Sequence, residues 1–159
     1  MSGGDSGGDP HFYGFLQQKY DVMGESFEIY NIITSPHFQM NSRFTPYYKT
    51  ASQVVPTGTM MGEMGIKIHN HRIYINSNKT IATIDGIDVS LLQDWNQDFE
   101  NGYKLVNQAN KNGKYEITVV ATEFSFTMIR KVYLVAGLEA QFHFDYIAKL
   151  LQKSANLHG

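Results

Sequence analysis

"GIKIHNHRIYINS", residues 65–77, decides the fold class. Ile66, Ile68, Ile73 and Ile75 are apolar, and the positions between the members of each pair are polar or basic. Alternation at a period of two marks a half-buried strand, because successive side chains leave a strand on opposite faces. The even-numbered pair and the odd-numbered pair cannot share one face of a continuous strand. The chain must therefore turn at Asn70 or carry a bulge there, and a β-hairpin is the expectation.

The same patterning extends in both directions. "HFYGF" (11–15), "SFEIYNIIT" (26–34), "HFQMNSRF" (37–44), "TIATIDGIDV" (80–89), "YKLVNQAN" (103–110), "KYEITVVAT" (114–122), "EFSFTMIRKVYLVAG" (123–137) and "EAQFHFDY" (139–146) are rich in Ile, Val, Thr, Tyr and Phe. Most are separated by Gly, Asn or Pro, and about nine or ten strands are expected. "IDGID" (84–88) and "NKNGKY" (110–115) supply Asp-Gly and Asn-Gly, the strongest short-range hairpin signals, so successive strands should be antiparallel neighbours. Two stretches break the pattern. "SLLQDWNQDFENG" (90–102) reads as a helix or a long crossover. "YIAKLLQKSANLHG" (146–159) has Ile147, Leu150 and Leu151 at helical spacing, which predicts a short C-terminal helix. The predicted architecture is mainly all-β, an antiparallel β-sandwich or flattened barrel with one or two short helices.

Composition sets the outer limits. The chain has 159 residues, 42% hydrophobic and 13% aromatic, enough for one well-filled core. Residues 1–8 read as a flexible lead and residues 9–159 as a single domain. A net charge of −2 leaves no basic excess to neutralise phosphates, which argues against nucleic acid and anionic membrane surfaces as partners. No run approaches the roughly 18 apolar residues of a spanning helix, and "MSGGDSGGD" lacks the basic start and apolar centre of a signal peptide. With no cysteine there is neither a disulfide framework nor a thiolate zinc site.

The opening "GDPHFYGFLQQKYDVMGESFEIYNI" carries a resemblance. Gly8, Asp9, Pro10, His11, Phe12 and Phe15, followed by Tyr20, Asp21, Val22 and Gly24, are similar to the first strands of von Willebrand factor type D domains. "LEAQFHFDYIAKLLQKSANLHG" is also similar to the close of plant root-cap domains and of the C-terminal domain of inter-alpha-trypsin inhibitor heavy chains. In those families a Leu-Gly-Gln segment follows, so the resemblance implies a domain truncated at its C-terminal end. It further implies an extracellular or cell-surface location, a protein, matrix or glycan partner, and self-association through an edge left uncovered. The chain departs from type D domains where Ser26 stands in place of a cysteine. The family's calcium loop has no counterpart either, so a disulfide-linked multimer is excluded and calcium as a cofactor is left without its usual ligands.

Asp9-Pro10 is an acid-labile type of bond. An aspartate carboxyl can attack its own backbone carbonyl to form a cyclic anhydride, proline is a good leaving group, and His11 is close enough in sequence to donate the proton. Proline also holds Asp9 extended. The resemblance implies the same chemistry, since some relatives split at this bond and the heavy chains pass the aspartyl carbonyl to a glycan hydroxyl. The structural reading of the triplet is a strand opener, with Pro10 at an edge, Asp9 accepting backbone hydrogen bonds and His11 half-buried.

Other candidates are local. His69 and His71, with His37 or His143, are imidazoles that a zinc ion would need to find converging, although paired edge histidines are the commoner case. Asp85 and Asp88, and Asp94 and Asp98, offer oxygen ligands to a hard cation without the spacing of a known loop, and Asp most often serves turns. Tyr47 and Tyr48 in "FTPYYKT" are expected in an exposed loop, where they would stack on a sugar or a protein. Asn78-Lys79-Thr80 is a glycosylation sequon. The sequence thus leads to a non-catalytic extracellular interaction or structural module. The alternatives are a self-processing domain acting once at Asp9-Pro10 and a root-cap-like cell-wall or stress protein.

Overall fold

The computed structural model describes residues 29–150, together with the backbone of two short strands, β1 (His11–Tyr13) and β2 (Lys19–Asp21). These two pair antiparallel, with His11 opposite Asp21. The remaining strands are β3 (Ile29–Ser35), β4 (Phe38–Tyr47), β5 (Gly58–Ile68), β6 (His71–Asn76), β7 (Ile81–Ile84), β8 (Ile87–Ser90), β9 (Trp95–Asp98), β10 (Lys104–Ala109), β11 (Tyr115–Val120), β12 (Phe124–Tyr133) and β13 (Gln141–Leu150). They form an antiparallel sheet curled into a half-barrel. Its nine-strand path runs β8-β7-β6-β5-β13-β12-β11-β10-β9, with β4 on the other edge of β5 and β3 beyond β4.

Strand β5 makes the curl. β4 follows one of its edges along the whole length, from Phe38↔Ile68 to Tyr47↔Gly58. The other edge is divided: Glu63–Ile68 pair with β6, whereas Met61 pairs with Phe144 of β13. At the division the β4 register slips, because Glu63 faces Arg43 and Met61 faces Phe44, which leaves Gly62 as the extra residue of a bulge. A Cβ on Gly62 would lie 2.6 Å from Thr45 Cγ2, so only glycine fits. The buried Ser77 seals the fork: its N–H donates to the Gly62 carbonyl (2.8 Å), its hydroxyl to the Phe142 carbonyl (3.1 Å), and its own carbonyl accepts Arg130 Nε–H (2.7 Å).

The core lies inside the curl. Phe38, Met40 and Phe44 of β4, Met61, Met64, Ile66 and Ile68 of β5, and Ile73 and Ile75 of β6 meet Ile117, Val119, Phe126, Met128 and Phe144 from the other half, all at most 2% exposed. Burying each such side chain contributes roughly 1.5–3 kcal/mol against the cost of ordering the chain. Arg130 is also buried. Its guanidinium sits 4.0 Å above the Phe142 ring and 5.4 Å from the Tyr115 ring, and Nη1 donates to the Gly113 carbonyl (3.2 Å). Tyr115 reaches across to the β6–β7 turn, donating its hydroxyl to the Lys79 carbonyl (3.1 Å). Burial pushes that phenol up to about 12, opposed by Arg130, so it stays a neutral donor.

The hairpins expected at "HNH", "IDGID" and "NKNGKY" are present. Asp85 and Gly86 both take positive φ (53° and 80°), as a two-residue turn requires. The helices are not. Among the described residues the only helical turn is the 3-10 turn Glu100–Gly102. The stretch 90–102 instead holds a crossover and β9, because its carbonyls are claimed by side chains. Asn107 Nδ2 donates to Leu91 O (3.1 Å) and Gln93 O (2.8 Å), and the Trp95 indole N–H to Ser90 O (2.8 Å). At the C-terminal end, Ile147 and Leu150 lie on β13, whose ladder with β12 runs from Gln141 to Leu150; Leu151 falls outside the described residues. The alternation of Phe144, Tyr146 and Ala148 toward the core outweighs the helical spacing of a few aliphatics.

Candidate functional site

Four turns converge at one end of the half-barrel: Pro36-His37 between β3 and β4, His69-Asn70 between β5 and β6, Asp85-Gly86 between β7 and β8, and the 3-10 turn Glu100–Gly102. His69 takes a left-handed backbone (φ 53°), which swings its ring away from the strand face it would otherwise share with His71. The His69 ring lies 4.8 Å from the His37 ring and 5.6 Å from that of Tyr103, and its Nε2–H donates to the Glu100 carbonyl (3.0 Å). His71 turns the other way. Its Nδ1 meets Asp85 Oδ2 at 2.7 Å and its Nε2 meets Glu100 Oε1 at 3.3 Å, with Phe99 against the ring at 5.0 Å. Asp85 Oδ1 accepts the Arg72 N–H (2.9 Å).

The charges reinforce one another. The hydrogen bond that His71 donates to Asp85 raises the His71 pKa above its ordinary value, against the opposing effect of burial. The His71 hydrogen bond, followed by that from Arg72, lowers Asp85, and Glu100 is lowered chiefly by a backbone hydrogen bond. His71 is thus set between two carboxylates that favour its protonated form. Both ring nitrogens of His71 are thereby engaged, which makes it a latch across three turns and leaves it no lone pair for a metal or for general-base work. Two clefts of about 430 Å³ each flank His37, one lined by Gln39, Lys67 and Asn70, the other by Ile33, Tyr103 and Phe124.

The opposite end of the β4–β5 ladder carries a different surface. Tyr47 ends β4 and is half-buried, its ring edge-on to Tyr133 (6.1 Å), so it is a strand residue rather than part of an exposed loop. Tyr48, also half-buried, is clamped at both backbone groups by Gln141: its N–H donates to Oε1 (2.8 Å) and its carbonyl accepts Nε2–H (2.9 Å). The following loop is organised by Gln53, whose Oε1 accepts the N–H groups of Lys49 (2.7 Å) and Thr50 (2.8 Å) while Nε2 donates to Thr57 Oγ1 (3.0 Å). Gly137 of the β12–β13 loop touches Ala51, with an added Cβ meeting the Ala51 Cβ at 3.0 Å. On this fixed pair of loops Val54 is 91% exposed, Val55 73% and Leu134 73%.

The other sequence candidates are dispersed. Asp94 caps the Ala109 N–H (2.8 Å), Asp98 faces Lys104 Nζ (3.8 Å), and Asp88 is exposed on β8. His143 lies on β13 beside Asp145 (4.0 Å) and joins neither His69 nor His71. Among the described residues no three His, Cys, Asp or Glu side chains are grouped to hold a metal ion. Asn78 is exposed in the β6–β7 turn. Asp9 and Pro10 fall outside the described residues, and His11 is described only as the backbone residue that opens β1. Sequence reasoning missed Glu100 as the partner of His71, and no local signal points to it. Comparison of the chain with known protein families, curated proteins and solved structures finds no match.

Proposed function

We propose that the chain is a non-catalytic interaction module working outside the cell or at its surface. The observation that carries this reading is the presentation of Val54 and Val55 on a loop that Gln53 and Gln141 hold in place, with Leu134 exposed on the adjacent β12–β13 loop. Large aliphatics left in water on an ordered scaffold gain free energy when a partner covers them, and ordering the loops beforehand lowers the entropy cost of that contact. The resemblance of the opening and closing segments to von Willebrand type D domains and their cousins supports the location and a protein or matrix partner. The test is capture of matrix or secreted proteins on immobilised chain, with sedimentation velocity to detect self-association. Val54→Ser, Val55→Ser and Leu134→Ser together should abolish whichever contact is found without lowering the melting temperature. Contact that survives all three contradicts the reading.

A second reading keeps Asp9-Pro10 as a self-processing bond, supported by the resemblance of the Gly8-Asp9-Pro10-His11 opening to type D domains, some of which split there. In it an Asp9 carboxylate oxygen attacks the Asp9 carbonyl carbon and the C–N bond to Pro10 breaks. His11 protonates the departing proline nitrogen, and water or an acceptor hydroxyl then opens the anhydride.

A further inference from the structure

Arg130 is a buried cation with no counter-ion. The residue is 8% exposed, and among the described residues no carboxylate forms an ion pair with it. Its charge is met only by the Ser77 and Gly113 carbonyls and by the rings of Phe142 and Tyr115. A guanidinium has five N–H groups, and these carbonyls accept from Nε and Nη1 alone. Nη2 has no hydrogen-bond partner among the described residues and is not sealed off from solvent. Taking a cation out of water is costly, and a bound anion offsets that cost.

The free nitrogen has a cleft to serve. Arg130 lines a hollow of about 180 Å³ beside the β10–β11 turn, with Gln108, Asn110, Lys114, Glu116 and Lys131. The registers bring these groups together: Glu116 lies opposite Gln108 of β10 and Ile129 of β12, so Tyr115 and Lys114 run back along β11 as Arg130 and Lys131 run forward along β12. Lys114 and Lys131 are exposed and form no ion pair among the described residues. Three cations against the single Glu116 carboxylate leave two positive charges in excess, which matches a divalent anion. The backbone N–H groups of the turn are already taken, those of Asn112 and Lys114 by Asn110 Oδ1 (2.9 and 3.1 Å) and that of Gly113 by the Asn110 carbonyl (3.3 Å). Side chains must therefore do the binding. The volume is below the roughly 300–1,000 Å³ of sites for drug-sized ligands, which suits an ion and not a nucleotide.

From this geometry we infer that the cleft beside the β10–β11 turn binds a small tetrahedral dianion, free phosphate or sulfate, with Arg130 Nη2 donating from its floor and the Lys114 and Lys131 ammonium groups meeting it at the rim. The ion supplies the missing counter-charge, and its binding stabilises the fold by mass action. The site is independent of the Val54–Val55 loop, so the failure of either reading leaves the other standing.

The test is an NMR titration of the whole chain with sodium phosphate, sodium sulfate and sodium acetate, at one ionic strength held with sodium chloride, read at the Gly113 amide and Arg130 Nε. The expected result is saturable shifts with phosphate or sulfate, a melting temperature that rises with the same ion, and acetate weaker by roughly fivefold or more. Lys114→Ala with Lys131→Ala, both at exposed positions, should weaken binding by roughly tenfold or more while leaving the melting temperature in chloride unchanged. Arg130→Lys should abolish saturation at the Gly113 amide. Shifts no larger than those from chloride alone, shifts that persist at full affinity in the double lysine variant, or acetate binding as tightly as sulfate would overturn the inference.

Discussion

Replacing Gly62 by alanine probes the corner on which the half-barrel depends. The new methyl would stand 2.6 Å from Thr45 Cγ2 and 2.9 Å from Thr45 Oγ1. Both are closer than non-bonded atoms tolerate, and Thr45 is held in the β4 ladder opposite Met60, so the strands must separate or the Thr45 rotamer must change. Overpacking of this kind costs about 1–3 kcal/mol. Loss of backbone freedom in the unfolded chain returns about 0.4–1 kcal/mol, and the net expectation is a destabilisation of about 1–2 kcal/mol. Urea unfolding followed by tryptophan fluorescence reads this as a lower midpoint at unchanged slope. Thr45→Ala removes both clashing atoms, so the double variant should recover most of the loss, a coupling that a mutant cycle isolates. A neutral or stabilising Gly62→Ala, or a loss that Thr45→Ala does not relieve, would refute the bulge as the reason for this glycine.

Further outcomes follow from the same contacts. Asn107→Leu should cost about 2 kcal/mol in urea unfolding, because the carbonyls of Leu91 and Gln93 lose their buried donor. Arg130→Met should destabilise by about 2–3 kcal/mol, since the Ser77 carbonyl at the fork and the Gly113 carbonyl of the β10–β11 turn lose a charged donor and two rings lose a cation, while Arg130→Lys should recover only part. The His71 latch gives thermal stability a pH optimum. The stabilisation from raised His71 is complete below its unfolded value near 6.5 and is lost as pH rises through the folded value; that from lowered Asp85 and Glu100 is lost as pH falls below the carboxylate range. The melting temperature should therefore be highest between about pH 5 and 6.5, and His71→Gln should flatten the alkaline side of the profile.

What the sequence disclosed was local. The turns at Asp85-Gly86 and around Asn110–Gly113 are set by residues adjacent in the chain, and the alternation of Ile66, Ile68, Ile73 and Ile75 reflects burial on one face. What it concealed was long-range. The carbonyls of the 90–102 stretch are taken by Asn107, and Glu100 reaches the histidine cluster from 31 residues beyond His69, a proximity that only the assembled sheet creates. His69 and His71, two apart in the chain, turn to different partners because His69 itself takes a left-handed backbone at the turn.

The claim that this chain acts through its surface, and not by cutting itself, is tested most directly by intact mass of freshly purified protein over days at mildly acidic and neutral pH, beside Asp9→Ala and His11→Ala. The account predicts an unchanging mass in all three. A time-dependent loss of Met1–Asp9 confined to the parent chain would contradict it and establish the self-processing reading.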